Sequence, residues 1–299
     1  MDVQDVQSFF DQGVSKVKGA VSSVGIEQQA FMKGFVRLCN DGWEQGWHER
    51  NGGNASYRLT AADVAACRTF FLAEPGPWVA LDVRAEGLAG EYFAVTGAGK
   101  FMRNVALDPS SSIGIVEIDS AGGAYRVVWG LDGGGAPTSE FASHFMIHAV
   151  KKAVTNGAFR VLYHCHPIDL IALTCAVEAD SRSMTRVLWR AMTECIMVFP
   201  EGVGAVPCLV PGSRALAEET GRLMERHNAV VWAHHGLMVS GADFDSAFGL
   251  AHVIAKAASI HRSTCALCGG PEAPYPLSDA DLRGIASELG LPVDTAYFD

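Results

Sequence analysis

From residue 159 onward the apolar residues change their period repeatedly, and this alternation limits the folds open to the chain. FRVLYHCH is a short run of strand type, while DLIALTCAV and SRSMTRVLWRAM carry helical spacing. CIMVFPEGVGAVP then reads as strand and turn, RALAEETGRLMERHN as helix, AVVWAHHG as strand and FDSAFGLAHVIAKAASIHRST as a long helix. Strands and helices that alternate without an internal repeat or a low-complexity linker predict one compact α/β domain, an open sheet covered by helices on both faces. Strand direction stays open at this level.

The first half is consistent with that plan. Ile26, Phe31, Phe35 and Leu38 fall on one helical stripe, which Asn40-Asp41-Gly42 is expected to stop. The turn RNGGNAS leads into YRLT, and EYFAVTG is a strand entering a second glycine loop. IGIVEID and YRVVWGL flank Ser120-Ala-Gly-Gly123 as a hairpin would, and FASHFMIHAVKKAVTNG is helical. Thr138 or Ser139 is placed to cap that helix, leaving Glu140 in its first turn, where the helix dipole favours a carboxylate.

Bulk properties exclude several classes. The 33 acidic side chains outnumber the 23 basic ones, with no cluster of Lys and Arg, so a phosphate backbone would find no cationic surface and nucleic acid is not an expected partner. The opening MDVQDVQSFFDQ is acidic where a signal peptide is basic, and 18 apolar residues never run uninterrupted, so the expectation is a soluble, cytoplasmic protein without a membrane partner. The eight cysteines are expected as free thiols; Cys265-Ala-Leu-Cys268 is half of a four-cysteine zinc site with no second pair after it.

His164 and His166 carry the clearest chemistry. Positions i and i+2 of a strand share a face, so two imidazoles stand together at a strand end while Cys165 turns to the core. Pro167 ends the strand. A catalytic zinc site takes three protein ligands and keeps one open position. AVVWAHHG offers a third ligand, His234 or His235, and strand geometry alone does not choose between them. The helical pair His144 and His148 lacks the glutamate of a metalloprotease motif, since Phe145 follows His144, and reads as two histidines on a helix face. Thr96-Gly-Ala-Gly-Lys100 is not a P-loop, because Ala94 and Phe101 stand where that motif needs Gly and Ser or Thr. Glycine loops can still converge backbone N–H groups on an anion, with Asn51, Asn54, Thr138 and Ser139 as uncharged donors. Lys100 is expected to be solvated or phosphate-facing rather than a Schiff-base nucleophile.

Taken in order, WHERNGGN, VTGAGKFMRN, APTSEFASHF, YHCHPIDLIALT, TECIMVFPEGVG and HHGLMVSG resemble the class II aldolase/adducin family, from about Ile26 to the end of the AHVIAKAA segment. The resemblance implies a largely antiparallel central sheet; with the weak patterning of the first 25 residues, residues 1–25 are expected as an N-terminal appendage and 26–299 as the catalytic domain. It further implies a cyclic homotetramer with active sites at subunit interfaces. The implied reaction is zinc-dependent, reversible cleavage of L-rhamnulose 1-phosphate to dihydroxyacetone phosphate and L-lactaldehyde. Carried over by motif, the metal ligands are His164, His166 and His235, and the catalytic acids are Glu140 and, toward the aldehyde end, Glu194. The phosphate-binding residues are Asn51, Gly53, Asn54, Gly97, Ala98, Gly99, Thr138 and Ser139. Relatives commonly have Ser where this chain has Ala98, a loss of one neutral hydrogen bond, about 1 kcal/mol. The alternatives within the same resemblance are another sugar-phosphate aldolase, an epimerase or a dehydratase, or a non-catalytic adducin-like interaction module.

Overall fold

The computed structural model describes residues 25–270 and 273–299. The expected N-terminal appendage, residues 1–25, lies outside them apart from Gly25. In chain order the helices are α1 (Ala30–Glu44), α2 (Ala61–Cys67), α3 (Pro109–Ser112), α4 (Phe141–Val154), α5 (Ile168–Ala176), α6 (Ser181–Ala191), α7 (Thr193–Val198), α8 (Arg214–Met224), α9 (Phe244–Cys268) and α10 (Asp279–Leu289). The strands are β1 (Asn54–Arg58), β2 (Val79–Ala80), β3 (Tyr92–Thr96), β4 (Ile113–Ile118), β5 (Ala124–Gly130), β6 (Val161–Cys165), β7 (Gly204–Val206), β8 (Ala229–Trp232) and β9 (Gly236–Gly241). They form one sheet in the order β2-β5-β4-β3-β1-β6-β9-β8-β7. Every neighbouring pair is antiparallel except β7 and β8, as the family resemblance implied.

The period-two alternation divides the core between the two faces of the sheet. Ala55 and Tyr57 of β1 and Val161, Tyr163 and Cys165 of β6 pack with Phe35 of α1, Leu188 of α6 and Ile254 of α9. Leu162 of β6 faces the other way, against Ile147 of α4 and Leu216 of α8, and Phe93 and Val95 of β3 meet Phe141 and Phe145 of α4. Cys165 is fully buried on the first face, as strand geometry predicts. The long α9 opens with an Asp243–Ser246 capping box and ends at Gly269 in the left-handed conformation.

Four local expectations are corrected. The helix expected to stop at Asn40-Asp41-Gly42 continues to Glu44, where Asn40 Nδ2 donates to the Glu44 carboxylate at 2.8 Å. Gly42 is there for space, because a Cβ would lie 1.9 Å from the Tyr163 hydroxyl and 2.6 Å from His48 Nε2. The apolar run CIMVF, expected as strand, is the helix α7: Cys195, Ile196 and Phe199 are buried while Met197 and Val198 are exposed, a one-sided and not an alternating pattern. AVVWAHHG is strand only to Trp232; Ala233–His235 make a turn, with His234 at φ +60°, and β9 returns from Gly236. Finally, α4 begins at Phe141, so Glu140 occupies its cap position instead of its first turn, and among the described residues no side chain caps the helix.

Candidate metal centre

Strand β6 delivers His164 on the α4 and α8 face, its ring 4.5 Å from that of Trp232. One residue past the strand, His166 is held by its N–H to the Trp47 carbonyl at 3.0 Å. The turn between β8 and β9 brings His235 to the same place, its N–H closing on Trp232 O at 3.0 Å. One potential ligand atom from each of His164, His166 and His235 lies within 4.8 Å of the others. His234 turns elsewhere: its N–H reaches Thr174 Oγ1 and its Nδ1 lies 3.4 Å from Cys175 Sγ. Gly236 permits the close approach, since a Cβ would fall 2.4 Å from Cys165 O and 2.8 Å from the His166 ring.

The outer hydrogen bonds orient these rings. His164 Nδ1 lies 3.0 Å from the Leu237 carbonyl and His166 Nδ1 2.7 Å from Glu49 Oε1, so in the neutral rings both Nδ1 atoms donate and both Nε2 atoms carry a lone pair. Those two Nε2 atoms face each other at 3.1 Å. Two lone pairs at that distance repel unless a cation lies between them, so the donor set fits a metal ion. Burial first, then the neighbouring His166 and His235, holds His164 well below the ordinary histidine value; burial, then His166, lowers His235 to about 4. The ring nitrogens of His164 and His235 are therefore unprotonated and available near neutral pH. Nδ1 of His235 is buried without a hydrogen-bond partner among the described residues.

Glu140 closes one side of the cluster. Its Oε2 lies 3.9 Å from His164 Nε2 and accepts from Asn54 Nδ2 at 2.6 Å. Burial raises its pKa, against the Asn54 hydrogen bond and the charge of His166. Asn54, expected among the phosphate-binding residues, is 6% exposed and is opposite His164 in the β1–β6 register; its amide oxygen also contacts His144 Nε2. Gly53, at φ +74°, leaves no room for a Cβ, which would lie 2.3 Å from His48 Nδ1.

The remaining loop residues gather at the same sheet end. Gly97 bridges Pro137, Ala98 N donates to Ala136 O at 2.8 Å and Thr138 N to Thr96 O at 2.8 Å, while Thr96 Oγ1 accepts from Ala55 N at 3.2 Å. Asn51, Ala98, Gly99 and Ser139 are exposed, and Thr138 is nearly buried. Glu194 is not brought to the histidines. It is exposed on α7, paired with the Thr193 hydroxyl at 3.0 Å, and α7 packs through Cys195 and Ile196 on the sheet face opposite His164. His48 and Glu49 were missed by sequence reasoning, since a loop with few apolar residues carries no periodic signal. His48, lowered to about 4 chiefly by burial, ties Gly52 O to the Tyr163 hydroxyl. None of the eight cysteines forms a disulfide, and no metal-ligand group among the described residues includes Cys265 or Cys268, which lie at the end of α9.

Residues 33–262 match the model of the class II aldolase and adducin N-terminal domain. The rhamnulose-1-phosphate aldolase of Pectobacterium carotovorum is 43% identical over 89% of this chain and 96% of its own length. That of Escherichia coli O139:H28 is 43% identical over 79% of this chain and 85% of its own length. Among solved structures, a sugar-phosphate aldolase from Thermotoga maritima aligns with TM-score 0.65 and 27% identity, covering 78% of this chain and 94% of its own.

Proposed function

The chain belongs to the class II aldolase and adducin family, and from that membership we propose that it cleaves L-rhamnulose 1-phosphate reversibly to dihydroxyacetone phosphate and L-lactaldehyde. It is a class II aldolase, a metal-dependent lyase. The observation that carries the reading is the convergence of three imidazoles beside the Glu140 carboxylate, at a sheet end rimmed by glycine loops. We assign zinc to the centre: three nitrogen ligands and an open side suit it better than they suit magnesium or calcium, which take oxygen. When bound, such an ion supplies a Lewis acid that draws electron density from the carbonyl end of the ketose as the bond between C3 and C4 breaks.

The residues of the chain do the rest. Glu140 takes or returns the proton at the carbon that loses its partner; its partly desolvated carboxylate is more basic than one in water, and the Asn54 hydrogen bond keeps Oε2 oriented. The phosphate is held by the loops. Among the described residues the N–H groups of Gly97, Ala98 and Thr138 already donate within the protein, which leaves those of Gly53, Gly99 and Ser139, the Thr138 and Ser139 hydroxyls and the Asn51 amide. Asn54 serves Glu140 before it serves the phosphate. Glu194 handles the aldehyde half from a neighbouring copy in a homotetramer with interface sites; its exposure on the far face supports this arrangement.

Lactaldehyde release from L-rhamnulose 1-phosphate and from L-fuculose 1-phosphate, measured side by side, tests the substrate assignment. A higher kcat/KM for the rhamnulose phosphate is expected, and a preference for the fuculose phosphate contradicts it.

A further inference from the structure

The helical pair His144 and His148 is fully buried, and a single side chain joins the two rings. Their i, i+4 spacing on α4 aims both rings at Ser56 of β1. Ser56 Oγ lies 2.7 Å from His144 Nδ1 and 2.8 Å from His148 Nε2. His144 Nε2 contacts Asn54 Oδ1, and Asn54 Nδ2 donates to Glu140 at 2.6 Å. Four hydrogen bonds thus connect His148 to Glu140 in one line.

Donor counting gives the line a sense. A carboxylate can only accept, so the Asn54 amide nitrogen faces Glu140 and its oxygen must receive the Nε2–H of His144. Neutral His144 then has a lone pair on Nδ1, which receives the Ser56 hydroxyl proton, and Ser56 in turn accepts Nε2–H from His148. His148 Nδ1 is left as a buried lone pair without a partner among the described residues. In the opposite sense that atom would be an unpaired N–H, and the Asn54 oxygen would face the carboxylate. Burial keeps both rings neutral, lowering His144 to about 3 and His148 well below the usual value, which the counting requires. The line ends inside the core, against the Phe93 ring at 5.0 Å, so it orients and does not conduct protons to solvent.

We propose that Ser56, His144 and His148 are positioning residues for the proton transfer, acting through Asn54 to fix the Glu140 carboxylate in one orientation. The proposal rests on Glu140 as the proton carrier, and its tests separate the two. Long-range nitrogen–proton NMR of the full-length enzyme should find His144 and His148 both as Nε2–H tautomers, with no substrate needed; an Nδ1–H tautomer at either overturns the line. Ser56→Ala should lower kcat by roughly one to two orders of magnitude while KM and metal content hold. His148→Leu should show the same loss, and His148→Gln, which keeps an N–H donor, should restore most of it. If Glu140→Ala is inactive but Ser56→Ala and His148→Leu turn over within about twofold of the parent, the relay fails and the proton carrier stands. If Glu140→Ala is as active as the parent, the carrier itself fails. Parallel losses of Tm, metal and kcat in both variants would assign these residues to stability alone and overturn the proposal.

Discussion

At the scale of single residues, the three clustered histidines were the most legible part of the site. Strand periodicity put His164 and His166 on one side and Cys165 on the other, although it could not choose between His234 and His235. The structure makes that choice with a backbone feature, the left-handed His234, that has no periodic signature. Glu49 was illegible for a related reason: it stands in the irregular WHERNGGN loop, two-thirds exposed, and only the folded chain brings it to His166. A carboxylate on the far nitrogen of a ligand ring fixes its tautomer and raises its basicity, so Glu49→Ala should weaken metal affinity by roughly 10- to 100-fold with the fold intact. Competition with a fluorescent chelator reads that affinity, and an unchanged dissociation constant would remove Glu49 from the metal's support.

At the scale of elements, type was legible where the pattern was long and failed where it was short. The α9 segment, 25 residues with caps at both ends, needed no tertiary information. CIMVF did, because five apolar residues fit either a strand or a helix until one side meets the core. Gly42 misled for the opposite reason: in a helix it usually signals a stop, but here it makes room for Tyr163 and His48. Gly236 has a similar role where β9 starts, between the Cys165 carbonyl and the His166 ring. A methyl group there must displace backbone, so Gly236→Ala should cost about 1–3 kcal/mol and reduce bound metal as well. Denaturant unfolding together with metal analysis checks both; lost stability with full metal content would mean that β9 does not shape the centre.

At the scale of the whole molecule, the two-faced α/β plan was legible in the alternating periods, whereas strand direction was not, since a strand buried on both faces looks the same in either sense. No helix among the described residues is long and apolar enough to cross a membrane. Folding buries neutral histidines, and this couples stability to pH. His144 and His48 fall from 6.5 to about 3 and about 4, so between pH 6.5 and those values the unfolded chain binds protons that the native state refuses. Their stabilisation is complete above pH 6.5 and declines as pH falls, by up to about 1.4 kcal/mol per pH unit for each histidine. Urea midpoints should therefore drop between pH 6.5 and 5; a flat profile there would mean that these rings titrate normally. The central claim, a metal-dependent aldol cleavage at His164, His166 and His235, is tested most directly by lactaldehyde release from L-rhamnulose 1-phosphate before chelation, after it and after zinc is returned. Loss on chelation with recovery on zinc is the predicted result, and cleavage that continues unchanged in metal-stripped protein would contradict it.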